Sequence, residues 1–117
     1  MNLNESALLQ YAKAAEIEAN YTAAINNRGI LLQKLKRLNE SKQEFEKALM
    51  NEPNNTIVLV NYANLLAETG FKTEAEKEYR AALALNPNST GILKNFGQFL
   101  FTNGRYAEAK EMFDKVV

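Results

Sequence analysis

Two stretches of the chain, "AETGFKTEA" at Ala67 to Ala75 and "TNGRYAEA" at Thr102 to Ala109, share the spelling Gly-x-x-x-Glu-Ala. A glycine-rich ligand loop would produce one such stretch, whereas a recurring structural unit produces a series in fixed register. Gly70 and Gly104 lie 34 residues apart, so a repeat must hold that interval at unrelated positions as well. Gly29, Ala63 and Gly97 hold it, as do Phe45, Tyr79 and Phe113, then Ser41, Ala75 and Ala109. So do Leu32, Leu66 and Leu100, then Ala48, Ala82 and Val116, and finally Pro53 and Pro87. The glycine stretch is therefore one column set of a 34-residue repeat and not an isolated ligand loop.

Inside a unit the apolar residues recur at steps of three and four, as in Leu59, Tyr62, Ala63 and Leu66, which is one face of an α-helix. Each unit breaks near its middle, at Lys36 and Arg37, at Gly70 and at Gly104. A second break falls at Pro53-Asn54 and Pro87-Asn88, because proline cannot continue a helix and asparagine caps the next one. The pattern predicts an all-α chain of seven antiparallel helices over roughly 5–18, 22–35, 39–52, 56–69, 73–86, 90–103 and 107–116.

Composition narrows the function. The chain has 117 residues, 46% hydrophobic and 24% charged, which suits a single domain with a buried core. Fourteen basic and fourteen acidic residues cancel, and no basic block exists, so the electrostatic footprint of a nucleic-acid binder is missing. Neither cysteine nor histidine is present, which removes thiol chemistry, the commonest general base and the commonest transition-metal ligand. The expectation is a non-enzymatic protein with no catalytic, metal or cofactor site. "MNLNESALLQ" at the N-terminus has neither a basic n-region nor a long apolar run, and no apolar stretch suggests membrane insertion. A cytoplasmic location is expected, or a periplasmic one if a signal peptide has been removed.

These columns resemble the tetratricopeptide repeat, whose pattern runs W-x2-L-G-x2-Y, then A-x3-F, then P. The unit Thr22 to Asn55 supplies Ile25, Arg28, Gly29, Leu32, Ser41, Phe45, Ala48 and Pro53. The unit Thr56 to Ser89 supplies Leu59, Tyr62, Ala63, Leu66, Ala75, Tyr79, Ala82 and Pro87. A truncated third unit, 90–117, supplies Leu93, Phe96, Gly97, Leu100, Ala109, Phe113 and Val116. Ahead of them, within 1–21, Ala7, Tyr11 and Ala14 fit the second helix of a half unit whose closing proline is replaced by Ala19. The resemblance implies one domain over 1–117, with helix pairs stacked into a right-handed α-α superhelix that has a concave face.

The same resemblance implies that the first helix of each unit lines a groove that takes a partner protein or an extended peptide. Carried over position by position, the groove residues are Asn26, Asn27, Ile30 and Lys34, then Val60, Asn61, Asn64 and Glu68, then Lys94, Asn95, Gln98 and Thr102. Asn27, Asn61 and Asn95 fall in phase, and a carboxamide can both donate to and accept from a peptide backbone. They could form a ladder along a ligand, or they could bond within their own fold. Three neutral hydrogen bonds net at most about 4 kcal/mol, about half of what a micromolar complex needs. Apolar contacts must then contribute, and Ile30, Val60 and Phe101 are the candidates.

Some family members grip a C-terminal carboxylate with lysines, asparagines and an arginine. The corresponding positions here are Asn26, Ile30, Asn61, Gly91 and Asn95, which argues against that mode. Lys42, Glu46, Glu74, Lys77, Glu78, Glu108 and Glu111 on the second helices are expected to form a solvated convex face. Arg28 stands where Tyr62 and Phe96 sit in the other units, and is expected near solvent with its guanidinium snorkelling outward. Two alternatives remain open at this level. The chain could be part of a larger assembly factor or enzyme, since "LKNFGQFLFTNGRYAEAKEMF" is similar to a repeat of type IV pilus biogenesis lipoproteins. It could also form homo-oligomers through ends that no polar helix caps.

Overall fold

The computed structural model describes residues 3–17 and 22–116. It contains α1 (Leu3–Ile17), α2 (Thr22–Lys34), α3 (Leu38–Asn51), α4 (Thr56–Glu68), α5 (Lys72–Leu85), α6 (Thr90–Thr102) and α7 (Tyr106–Asp114). There is no strand among the described residues. Helices pack on their neighbours in chain order, and α4 also touches α2 and α6. The result is an elongated stack of 45 × 25 × 24 Å. Helix ends fall within two residues of the sequence expectation, α1 starting at Leu3 and α7 stopping at Asp114. The side chain of Ala14, together with Ala19, lies outside the described residues.

Close approach of the two helices in each pair follows from the small residues. A Cβ added at Gly29 would lie 2.8 Å from the Phe45 ring, and one at Gly97 would lie 2.8 Å from the Phe113 ring. Ser41 fills the facing position of α3 and donates its hydroxyl to the Gly29 carbonyl at 2.6 Å. Around these contacts Ile25, Leu59, Leu93, Leu32, Leu66 and Leu100 are buried, each at the same place in its unit. Phe45 and Tyr79 are likewise buried, while Phe113, which no described helix follows, is 40% exposed.

Each pair turns at the same elbow. In α4 the Phe71 N–H reaches the Leu66 carbonyl at 2.8 Å and the Gly70 N–H reaches Ala67, the double closure of a Schellman motif. Arg105 with Leu100 and Arg37 with Leu32 repeat the first of these bonds, each at 2.9 Å. The motif needs a left-handed residue, and Gly70 and Gly104 provide it with φ of 91° and 79°. Lys36 occupies that position in the first unit with φ 61°. Sequence reasoning located this break without showing that a lysine is held left-handed there.

The caps between units fall one residue later than the Pro-Asn pairs suggested. Asn55, not Asn54, accepts from the Ile57 and Val58 N–H groups at 3.1 and 3.2 Å. Ser89, not Asn88, accepts from the Ile92 N–H at 3.3 Å. The proline opens the turn, and one more residue is needed before the chain reaches the extended conformation of a cap.

Left-handed geometry costs an L-residue roughly 1–2 kcal/mol that glycine avoids. Lys36→Gly should therefore raise the urea midpoint, by a stability gain of about 0.5–1 kcal/mol once the extra freedom of the unfolded chain is counted. Gly70→Ala should lower it, by a stability loss of about 1 kcal/mol. Equal midpoints for all three proteins would refute the shared-elbow account.

Candidate functional site

The first helices of the units, α2, α4 and α6, carry every residue expected to line a groove. The structure sorts them into three groups. Asn27, Lys34, Glu68, Lys94, Gln98 and Thr102 are exposed, and Ile30, Asn61, Asn64 and Asn95 are half-buried. Asn26 and Val60 are buried, at 7% and 8% exposure. Ile30 packs against the core, whereas Phe101 is exposed and meets the Tyr106 ring edge-on at 5.1 Å.

The in-phase asparagines are not equivalent. Asn27 makes no side-chain hydrogen bond among the described residues. Asn61 donates to the Asn26 carboxamide oxygen at 3.2 Å, tying the first unit to the second. Asn95 sits at the end of a relay in which the Tyr79 hydroxyl donates to Asn64, Asn64 donates to Asn95 at 3.2 Å, and Asn95 donates to the Gly91 carbonyl at 2.7 Å. Burial pushes the Tyr79 hydroxyl up to about 12, so it stays a donor throughout the neutral range. The expected three-rung ladder is thus partly spent inside the fold, because buried or half-buried amides must find partners.

At the far end of α4, Glu68 accepts from Gln33 at 2.7 Å and from Lys36 at 3.1 Å. These bonds, the one from Gln33 foremost, hold its carboxyl below the ordinary range. Gln98 donates to Thr102 at 3.2 Å along the exposed edge of α6. Between α4 and α6 lies a cavity of about 420 Å³ that brings together Asn64, Glu68, Asn95, Gln98 and Thr102 of the expected set. Ala67, Tyr79 and Phe99 also line it. Two smaller cavities of about 230 Å³ each open near helix N-termini, one between α2 and α4 and the other between α4 and α6.

The second helices are less uniformly solvated than expected. Glu74, Lys77 and Glu111 are exposed. Lys42, however, lies over the Phe71 ring at 5.0 Å, and Glu46 accepts from the Tyr62 hydroxyl at 2.9 Å. Glu78 is half-buried, and desolvation raises its carboxyl. Glu108 pairs with Arg105 at 2.8 Å and with Arg80 at 3.5 Å. Sequence reasoning missed Glu76, which receives Arg105 from the next unit at 3.0 Å and Arg80 from its own helix. A signal was available: Lys42 to Phe71 and Glu76 to Arg105 are both 29 residues apart and occupy equivalent junctions.

Arg28 also differs from expectation. It does not snorkel freely but donates to Glu44 at 3.0 Å, with the side chains only 26% and 13% exposed. Its Nε and the Glu44 Oε2 are buried without a hydrogen bond. A guanidinium in an aromatic position is tolerated here because α3 presents a carboxylate to it.

Among the described residues no cluster of histidine, cysteine, aspartate or glutamate could hold a metal, and no helix is long and apolar enough to cross a membrane. Two tetratricopeptide repeat family models match, over residues 26–90 and 73–117. A tetratricopeptide repeat protein of Parabacteroides merdae superposes with a TM-score of 0.82 at 26% identity, over 97% of this chain and 45% of that one. MamA superposes with a TM-score of 0.78 at 14% identity, over 98% of this chain and 72% of its own. A MamA RS-1 ArsTM double mutant gives 0.81 at 16%, over 96% and 63%. These MamA likenesses concern the fold, and this chain spans between 45% and 72% of the three structures. No curated protein matches the chain in sequence.

Removing Asn64 interrupts the relay and leaves the part-buried Tyr79 hydroxyl without an acceptor. Asn64→Ala should cost about 1–3 kcal/mol in urea unfolding, and the Asn64→Ala/Tyr79→Phe pair should recover part of it. Strict additivity of the two substitutions would show that the relay does not couple them.

Proposed function

This chain belongs to the tetratricopeptide repeat family, and from that premise we propose that it binds an extended peptide or partner protein along the face of α2, α4 and α6. Protein-interaction scaffolding is what these repeats supply in general. The observation that carries the finer reading is the 420 Å³ cavity between α4 and α6, where five of the twelve groove positions converge. Its carboxamides keep unused hydrogens and lone pairs after the internal relay is made, since each can form more bonds than the relay uses. Its lining includes the apolar Ala67 and Phe99, which supplies contact area that neutral hydrogen bonds alone lack.

The exposed members of the face test this without disturbing the relay. A triple Asn27→Ala/Lys94→Ala/Gln98→Ala variant should keep its helical circular dichroism and lose at least tenfold in capture of its partners from lysate of the source organism. Lys47→Ala/Lys77→Ala/Glu111→Ala, on α3, α5 and α7, should capture them as the parent does. Retention by the first variant and loss by the second would move the binding surface to the opposite face.

A second reading has its own observation. Phe101, Tyr106 and Phe113 are 53%, 62% and 40% exposed on α6 and α7, although the positions equivalent to Phe113 are buried in the preceding units. Self-association through this surface would cover them. Sedimentation velocity over a hundredfold range of concentration should then show a dimer that Phe101→Ser/Phe113→Ser abolishes. A single monomeric species at every concentration would dismiss it.

A further inference from the structure

The two cavities of about 230 Å³ are the same pit repeated 34 residues along the chain. Asn27 in the first becomes Asn61 in the second, Asn55 becomes Ser89, and Val58 becomes Ile92. Ile57 belongs to both, standing between them at 68% exposure. Its equivalents in the neighbouring units are Ala23 and Gly91, so one large aliphatic side chain rises from a row of small ones. No charged side chain lines either pit, unlike the larger cavity, which includes Glu68 and Lys72.

We infer that these paired pits take two aliphatic side chains of an uncharged, extended segment of a partner, one on each side of Ile57. The inference rests on the peptide-binding reading above and specifies the chemistry of that ligand. Walls of carboxamide, hydroxyl and alkyl groups have no counter-ion to offer, so a charged side chain entering a pit would lose hydration without compensation. Aliphatic groups incur no such penalty and gain the exposed face of Ile57. Among the described residues Asn27 makes no side-chain hydrogen bond, and Asn61 keeps one N–H after serving Asn26, so a ligand carbonyl can be met beside each pit.

Spacing selects the ligand conformation. The pits are one unit apart, and packed helices lie roughly 8–10 Å from each other. A polyproline II segment rises about 3.1 Å per residue and brings residues i and i+3 about 9 Å apart. Alternate residues of a β-strand are only about 7 Å apart. The fitting segment therefore carries aliphatic side chains three residues apart in a polyproline II conformation, whose carbonyls make no internal hydrogen bonds and face the asparagines.

Selection of a random dodecapeptide library displayed on phage against the immobilised full chain tests this. The peptides recovered should carry Val, Ile or Leu at two positions three apart, with no Asp, Glu, Lys or Arg between them. In fluorescence anisotropy the best of them should bind at least tenfold more weakly to Ile57→Asp, whose helical circular dichroism should match the parent. Peptides that carry charges between the anchors, lack that spacing, or bind Ile57→Asp unchanged overturn the inference. If those same peptides lose binding to Asn27→Ala/Lys94→Ala/Gln98→Ala, the groove reading survives without it. Recovery of no peptide by the parent protein sinks both.

Discussion

Each helix pair depends on one contact, an aromatic ring seated against a residue with little or no side chain. Gly29 under Phe45 and Gly97 under Phe113 leave no room for a Cβ, so α2 with α3 and α6 with α7 approach at backbone distance. In the middle unit Ala63 and Tyr79 take these positions. Close approach lets Ser41 reach a main-chain carbonyl across the pair, and Leu59, Leu66, Leu93 and Leu100 join Ile25, Phe45 and Phe96 in one continuous core. Interiors packed at crystal-like density transmit such a constraint, which is why the same residues recur every 34 positions.

Between units the joints are made differently. Tyr79 stacks on Phe96 at 5.4 Å, while Phe45 meets Tyr62 at 6.5 Å with tilted rings. Polar pairs then individualise each joint: Lys42 over Phe71 at the first, Arg105 with Glu76 at the second. Both sit where a second helix meets the elbow of the following unit, so one geometry accepts either a cation on a ring or an ion pair. The Arg105–Glu76 pair is part-buried, and ion pairs that stay open to solvent add little stability singly.

The in-phase carboxamides serve the fold unequally. Asn61 and Asn95 are held by intramolecular bonds, which fix their side chains in place. Asn27, with no such bond among the described residues, keeps full freedom to donate and accept. On the proposed binding face, the two fixed side chains would bring a smaller ordering cost than the free one.

The 34-residue interval, the seven helices and the elbows were legible in the sequence, because a helical pattern, a proline break and a left-handed glycine are local requirements written at each position. Side-chain partnership was not legible, since it depends on which residues the stack brings together across 15 to 35 positions. Arg28 was expected to snorkel until α3 set Glu44 beside it, and Glu76 carried no expectation until Arg105 crossed the joint. Ile57 was one apolar residue near a helix start until the stack opened a pit on either side. Local conformational rules operate along the chain, whereas burial, pairing and cavities are properties of helices already packed, and only the tertiary structure decided those.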